Sequence, residues 1–349
     1  MTTAVLPVPS FWCPLPGGQR SGAVELGAAA TSFVHDYELE TDPVQLRRLG
    51  QADFGGLTTR TVPAGGSAVL IWIARLHATL FALDDGLCDE GEPTPEYVAA
   101  ETIRLEEVLT PGAPLRPDDS PFGRALRAIA TGLAEHADPE QMDRWRAGMR
   151  TYLSALPAET AFRRAEGLPP LQEYLPVWMR AIGMAPATAL LPVALGQPVP
   201  VEQLNQADVG ALTEITWTLV ALDNDLYSRP KEIARAGDDL NVVDVLASEN
   251  GWDAVRALQE AIVLRDRVMA LFLALSRQVA SGADAPLRHY VRALGQFVRG
   301  HVEWASRSSR YTSEAPATAD GWFTDQPADS SLQPVAVPRI AWWWEQLVV

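Results

Sequence analysis

From Ser67 onward, apolar residues recur at three- and four-residue spacing, the pattern of helices that bury one face. It predicts helices over Ser67–Leu83, Ala99–Leu109, Gly123–Leu156, Ala158–Ala165, Gln172–Leu191, Asn205–Leu226, Trp252–Ala280 and Ala285–Ser308. The breaks between them carry helix breakers: Gly91 to Pro95, Pro111 to Pro121, Pro169–Pro170 and Gln197 to Pro200. No stretch combines sustained alternation, β-branched enrichment and hairpin turns, and no fixed-period repeat is found. The first sixty residues are rich in Pro, Gly, Ala and Thr and read as irregular strand or coil, with one short helix near Pro43–Ala52. The expectation is an all-α, single-domain protein over residues 1–311. Residues 312–349 form a tail rich in Ala, Pro, Ser and Asp that ends in IAWWWEQLVV, a segment either flexible, docked on the body or acting as a lid.

Composition narrows the class. Of 349 residues, 47% are hydrophobic, enough for a substantial core. The longest apolar stretch, near Val69–Ile73, is interrupted by Arg75 and His77 and reads as too short for a bilayer. The N-terminus lacks a basic start followed by an apolar run, so no secretory signal is expected. Two cysteines, Cys13 and Cys88, give no disulfide framework and suit a reducing cytoplasm. With 28 basic and 44 acidic residues the formal charge is −16, a field that repels nucleic acid and anionic membranes. An anionic substrate would need a local cluster of metal and basic groups.

Two clusters carry candidate chemistry. In Phe81-Ala-Leu-Asp-Asp-Gly-Leu-Cys-Asp-Glu90, the acids Asp84, Asp85, Asp89 and Glu90 end an apolar helix. Continued α-helix would stack Asp85 and Asp89 one turn apart, with Asp84 beside Asp85. Carboxylates at a helix C-terminus meet like partial charge, so a hard divalent cation is one way to compensate them; a solvated helix end is the other. Further on, Asn224, Ser228 and Glu232 fall at i, i+4 and i+8, one polar stripe rising from apolar Leu219, Val220 and Leu222. An amide oxygen, a hydroxyl and a carboxylate in a row can ligate one Mg²⁺. Pro230 removes a backbone donor within that helix and is expected to kink it.

The pairing resembles class I terpene synthases of the bacterial type. Asp84-Asp85-x-x-x-Asp89 resembles their aspartate-rich motif. Asn224-Asp-x-x-Ser228-x-x-x-Glu232 looks like their second metal motif. Trp304, five residues, then Arg310-Tyr311 is similar to their C-terminal segment. The ordered set spans the chain from Ser67 to Tyr311. The resemblance implies a helical bundle around a deep apolar pocket, with the metal motifs facing each other across its mouth and three Mg²⁺ ions. Asp84 would ligate two ions with Asp85 and Asp89 in support, while Asn224, Ser228 and Glu232 would hold the third. Lys231, Arg310 and Tyr311 would donate to the diphosphate. Arg180, the sole arginine between Arg164 and Arg229, would be the diphosphate sensor, although its surroundings depart from the family's arginine-rich stretch. Gly183 would offer the carbonyl partner of that sensor. Homodimerisation is expected from the family alone.

Chemistry then proposes a cavity wall. The allyl cation left by a departing diphosphate must meet aromatic faces, each worth about 0.5–2 kcal/mol when desolvated. Phe81 lies three and four residues before Asp84 and Asp85, Trp217 seven before Asn224, and Trp304 in the last motif. For each, ordinary core packing is the competing role. His77 reads as a core or pocket-edge histidine rather than a base, and Cys88 as packing, since soft sulfur suits Mg²⁺ poorly. The expected reaction is cyclisation of farnesyl diphosphate to a sesquiterpene hydrocarbon or alcohol. Geranylgeranyl diphosphate is the alternative substrate. A chain-elongating prenyltransferase would want a second aspartate-rich motif in place of Asn-Asp-Leu-Tyr-Ser, and an acidic helical binding protein would need no metal at all.

Overall fold

The computed structural model describes residues 6–89, 93–236, 240–312 and 321–348, without the side chains of 88–89 and 234–236. The architecture is all-α, as the periodicity predicts; the described strands are only Phe11–Trp12 and Phe323–Thr324, paired in parallel. Two compact units divide the chain. One comprises residues 18–161 and 183–198, the other residues 1–17, 162–182 and 199–349.

Helix starts follow a repeated rule, a polar cap followed by proline. Asp42, Thr94, Ser120 and Asp284 each accept a backbone N–H of the first turn, with Pro in the first or second helical position. A reciprocal cap marks the point where the expected continuous Gly123–Leu156 helix splits. Asp138 accepts from the Gln141 amide at 2.8 Å and Gln141 accepts from the Asp138 amide at 3.0 Å. The observed helices are Pro121–Leu133 and Pro139–Arg164, the second running through Pro157 and so absorbing the expected Ala158–Ala165. The expected Gln172–Leu191 helix breaks at Gly183, whose φ of 76° is left-handed, into Leu171–Ala181 and Met184–Ala189.

In the first unit, helix Ser67–Asp84 packs against Ala23–Asp36, Phe54–Thr61 and Pro121–Leu133. Two of these partners correct the irregular reading of residues 1–60. In Ala23–Asp36 the apolar positions Leu26, Ala30, Phe33 and Val34 keep helical spacing but are diluted by Gly and Ala, and Phe54–Thr61 contains two glycines that lower helix propensity. Gly55 is required by contact: a Cβ there would come within 1.8 Å of the Ala23 carbonyl oxygen. The expectation that no segment could span a bilayer is also corrected on length. Ser67–Leu87 reaches 21 residues at mean hydropathy 1.4, but 61% of its most apolar window is buried inside the protein, as in a core helix.

In the second unit, the 30-residue helix Ala207–Ala236 packs against Leu171–Ala181, Ala254–Gly282 and Ala285–Ala305. It stays helical through Pro230 and ten residues beyond the expected end at Leu226. Val242–Asn250 is an additional helix, capped by Asn241. The described part of the C-terminal tail, residues 321–348, is docked. Trp343 is wholly buried and donates to Glu214 at 3.0 Å, and Gln278 exchanges hydrogen bonds with Gln346 and Val348. The two short strands tie residues near both ends together, with Phe11 stacked on Trp322 and Arg299 3.6 Å over the Phe323 ring.

Candidate active site

Asp84 ends the α-helical part of the first motif, and Asp85–Asp89 continue as a π-helical turn. This corrects the regular α-helix on which the one-turn stacking of Asp85 and Asp89 was based. Wide turns of this kind expose groups that an α-helix would hide and often accompany functional sites. Asp84 is half-buried and Asp85 is buried. The backbone of Asp89 belongs to the turn, but its side chain, that of Cys88, and Glu90 lie outside the described residues. Phe81, half-buried one turn earlier, meets Phe54 edge-on at 5.3 Å. Gly183 belongs to this unit too: a Cβ there would sit 3.2 Å from Leu80. His77 is buried with Nδ1 3.1 Å from the Thr58 hydroxyl, and burial lowers its pKa to about 4, so it is a neutral core group.

On Ala207–Ala236, Asn224 and Glu232 are half-buried while Ser228 is buried. Ser228 Oγ lies 3.5 Å from Asn224 Oδ1, too far for a strong hydrogen bond but with both oxygens on one side. The amide nitrogen of Asn224 turns the other way and donates to Tyr227 Oη at 3.0 Å. Glu232 accepts from Asn241 Nδ2 at 3.2 Å, and the same nitrogen donates to the Asp225 carbonyl at 2.9 Å. Among the described residues no three Asp, Glu, His or Cys side chains converge. A metal would therefore be held by a mixed set of hard oxygens, the chemistry that suits Mg²⁺ and not a soft ion.

The aspartates flanking Asn224 are occupied elsewhere. Neighbours on a helix point about 100° apart. Asp223 faces inward and accepts from Arg265 at 2.7 and 3.3 Å. Burial pushes the Asp223 carboxyl up while Arg265 pulls it down; burial would lower Arg265, but Asp223, Cys13 and Asp266 together outweigh it and hold the guanidinium cationic. Arg265 also donates to the Trp12 carbonyl. Asp225 accepts from Tyr174 Oη at 2.9 Å and from the Val242 amide at 3.0 Å. Burial, then the Glu232 charge, raises its pKa well above the usual carboxylate range.

Of the remaining predicted residues of this unit, Tyr311 packs on Tyr227, and Lys231 and Trp304 lie against Tyr311. Lys231 is buried with Nζ 5.3 Å from the Tyr311 ring centroid. Tyr311 meets Tyr227 at 4.7 Å and Trp304 at 5.5 Å, both edge-on, and Trp304 lies 5.8 Å from His301. Arg310 and Tyr311 are buried in the short helix Ser309–Thr312. Trp217 is half-buried on the same helix as Asn224. Arg180, half-buried on Leu171–Ala181, folds back to donate to the Pro176 carbonyl. Four participants escape the motif reading: Tyr227, His301, Asn241 and Arg265. Tyr227 sits at i+3 from Asn224 and His301 at i−3 from Trp304, spacings that could have flagged them; Asn241 and Arg265 are brought in by packing.

Residues 75–270 match the family described as terpene synthase family 2, C-terminal metal binding. The chain is 31% identical to spiroviolene synthase of Streptomyces violens over 100% of this chain and 99% of that protein. It is 30% identical to 4-epi-cubebol synthase ((2E,6E)-farnesyl diphosphate cyclizing) of Streptosporangium roseum, over 91% and 94%. The crystal structure of the SVS_A2 protein from ancestral sequence reconstruction superposes with a TM-score of 0.85 at 27% identity, covering 97% of this chain and 98% of that one. The chain belongs to terpene synthase family 2 and is an enzyme of the class I terpene synthase type. Terpene cyclisation, an isoprenyl diphosphate substrate and divalent-metal use follow from that membership.

Proposed function

We propose that this enzyme uses Mg²⁺ to ionise farnesyl diphosphate and cyclises the resulting allyl cation to a sesquiterpene hydrocarbon or alcohol. The observation that carries the metal assignment is the orientation of Asn224: its nitrogen is committed to Tyr227, leaving its oxygen on the Ser228 side of the stripe. Glu232, steadied by Asn241, completes the donor set. Asp84, more open than Asp85, would hold further ions with Asp85 and Asp89 in support, three in all.

Bound ions would neutralise the charge that develops on the departing diphosphate. Lys231, Arg310, Tyr311 and Arg180 would donate hydrogen bonds to the same oxygens, and donors fixed in place cost no reorganisation when charge develops. The burial of Lys231 and Arg310 strengthens their pull on an anion, because water does not screen them. Phe81, Trp217 and Trp304 would offer ring faces to the carbocation and help exclude water until the proton or hydroxyl step that ends the reaction. The choice of a C15 substrate is supported by the Streptosporangium roseum relative, named as a (2E,6E)-farnesyl diphosphate cyclizing enzyme.

Purified protein incubated with Mg²⁺ and, separately, geranyl, farnesyl or geranylgeranyl diphosphate provides the test, read by mass spectrometry. A cyclic C15 product from farnesyl diphosphate is expected. A cyclic C20 product alone would move the assignment to diterpenes, and a longer linear diphosphate would make the enzyme an elongating transferase.

A further inference from the structure

An asparagine that ligates a metal has a problem that aspartate does not. Its two ends are nearly the same shape, but only the oxygen binds a cation; the NH₂ group repels one. Something must hold the amide the right way round before the ion arrives. Here that task falls on a buried pair. Tyr227 is fully enclosed, between Tyr311, His301 and Trp322 with ring centroids at 4.7, 5.3 and 6.4 Å. Its hydroxyl is 3.0 Å from Asn224 Nδ2 on one side and 2.6 Å from His301 Nε2 on the other.

A phenol has one proton and can accept as well as donate. If that proton goes to His301 Nε2, the phenol oxygen presents only lone pairs to Asn224, and the amide must offer N–H. The amide oxygen is then turned toward Ser228. If Nε2 instead carried a proton and donated to the phenol, the phenol proton would be free for Asn224 Oδ1. The amide could then turn around and set its NH₂ beside Ser228. The tautomer of His301 thus selects the orientation of a group three residues from Tyr227 on the helix. We propose that Tyr227 and His301 are positioning residues, a relay that locks the Asn224 amide with its oxygen toward the metal stripe. Neither touches the reacting atoms. The inference rests on the reading of Asn224, Ser228 and Glu232 as a metal site.

The test uses Mn²⁺ with inorganic diphosphate as probes, with bound and free Mn²⁺ followed by electron paramagnetic resonance on the full-length protein. Glu232→Gln defines which part of the binding belongs to the stripe; if that variant binds as the wild type does, the metal reading falls and the relay with it. Given a response there, Tyr227→Phe is expected to weaken the stripe's Mn²⁺ binding by about tenfold, the loss typical of a missing partner behind a metal ligand. The decisive comparison is the same change in an Asn224→Asp background. A carboxylate presents oxygen either way round, so Tyr227→Phe should cause no comparable loss in Asn224→Asp. An equal loss in both backgrounds would show that Tyr227 acts only by packing, and no loss in either would show that the amide needs no relay. Melting temperatures of all variants, measured without metal, identify any that fail to fold; if Tyr227→Phe does, His301→Phe, which removes the acceptor for the phenol proton, replaces it in both backgrounds with the same two outcomes.

Discussion

Asn224, Ser228 and Glu232 share one side of a helix, but the residues between them do different work, and the difference shows how residue identity divides function from support. Removing a metal-stripe oxygen should remove the reaction and spare the fold. Asn224→Ala and Glu232→Ala are each expected to reduce turnover to background with melting temperature within a few degrees of wild type, checked by product analysis beside thermal denaturation. Phe81→Leu and Trp304→Leu test the wall. Each should change product distribution; a fall in melting temperature with an unchanged product profile would mark the ring as packing only. Trp304, with 1% exposure, is the more sensitive case because core packing alone could claim it. His77 gives a pH prediction. Its pKa is near 6.5 unfolded and about 4 folded, so between those values the unfolded chain binds more protons. Stability should therefore fall as pH drops from about 6.5 toward 4, by at most ~3 kcal/mol from this group. His77→Gln should flatten that part of the profile, measured by denaturant unfolding at several pH values.

At the scale of elements, the helix Ala207–Ala236 is held from behind by Arg265. Replacing Arg265 with Met would leave Asp223 buried without its partner and is expected to cost about 3–5 kcal/mol. Urea denaturation of Arg265→Met checks this; a change below 1 kcal/mol would mean the pair contributes little beyond its own desolvation. The same helix shows what the sequence could and could not reveal. The i, i+4, i+8 oxygen stripe is legible because it depends on helical period alone. The extension to Ala236 is not, because the apolar period ends at Leu226 and Pro230 removes a backbone donor beyond it, while tertiary packing carries the helix on. The helix Ala23–Asp36 escapes for a different reason: its buried Leu26, Ala30, Phe33 and Val34 fall at i, i+4, i+7 and i+8, but the small Gly and Ala residues among them dilute that amphipathic signal. The π-turn at Asp85–Asp89 leaves no local mark in sequence, so the motif is readable while its geometry is not. The C-terminal WWW segment is equally ambiguous until Trp343 is seen buried against Glu214.

For the whole molecule, a net charge of −16 sets the electrostatic problem that a diphosphate substrate must meet. Divalent ions on the two motifs, with Lys231 and Arg310 nearby in sequence to the second and third, would answer it locally while the rest of the surface stays acidic. Binding of substrate should accordingly collapse without metal, whereas the folded protein should not. The direct measurement is diphosphate release from farnesyl diphosphate by purified enzyme, with Mg²⁺ and after chelation, in the wild type and in Glu232→Ala. The account predicts release with a cyclic product for the wild type with Mg²⁺ only. Undiminished release after chelation, or from Glu232→Ala, would contradict it.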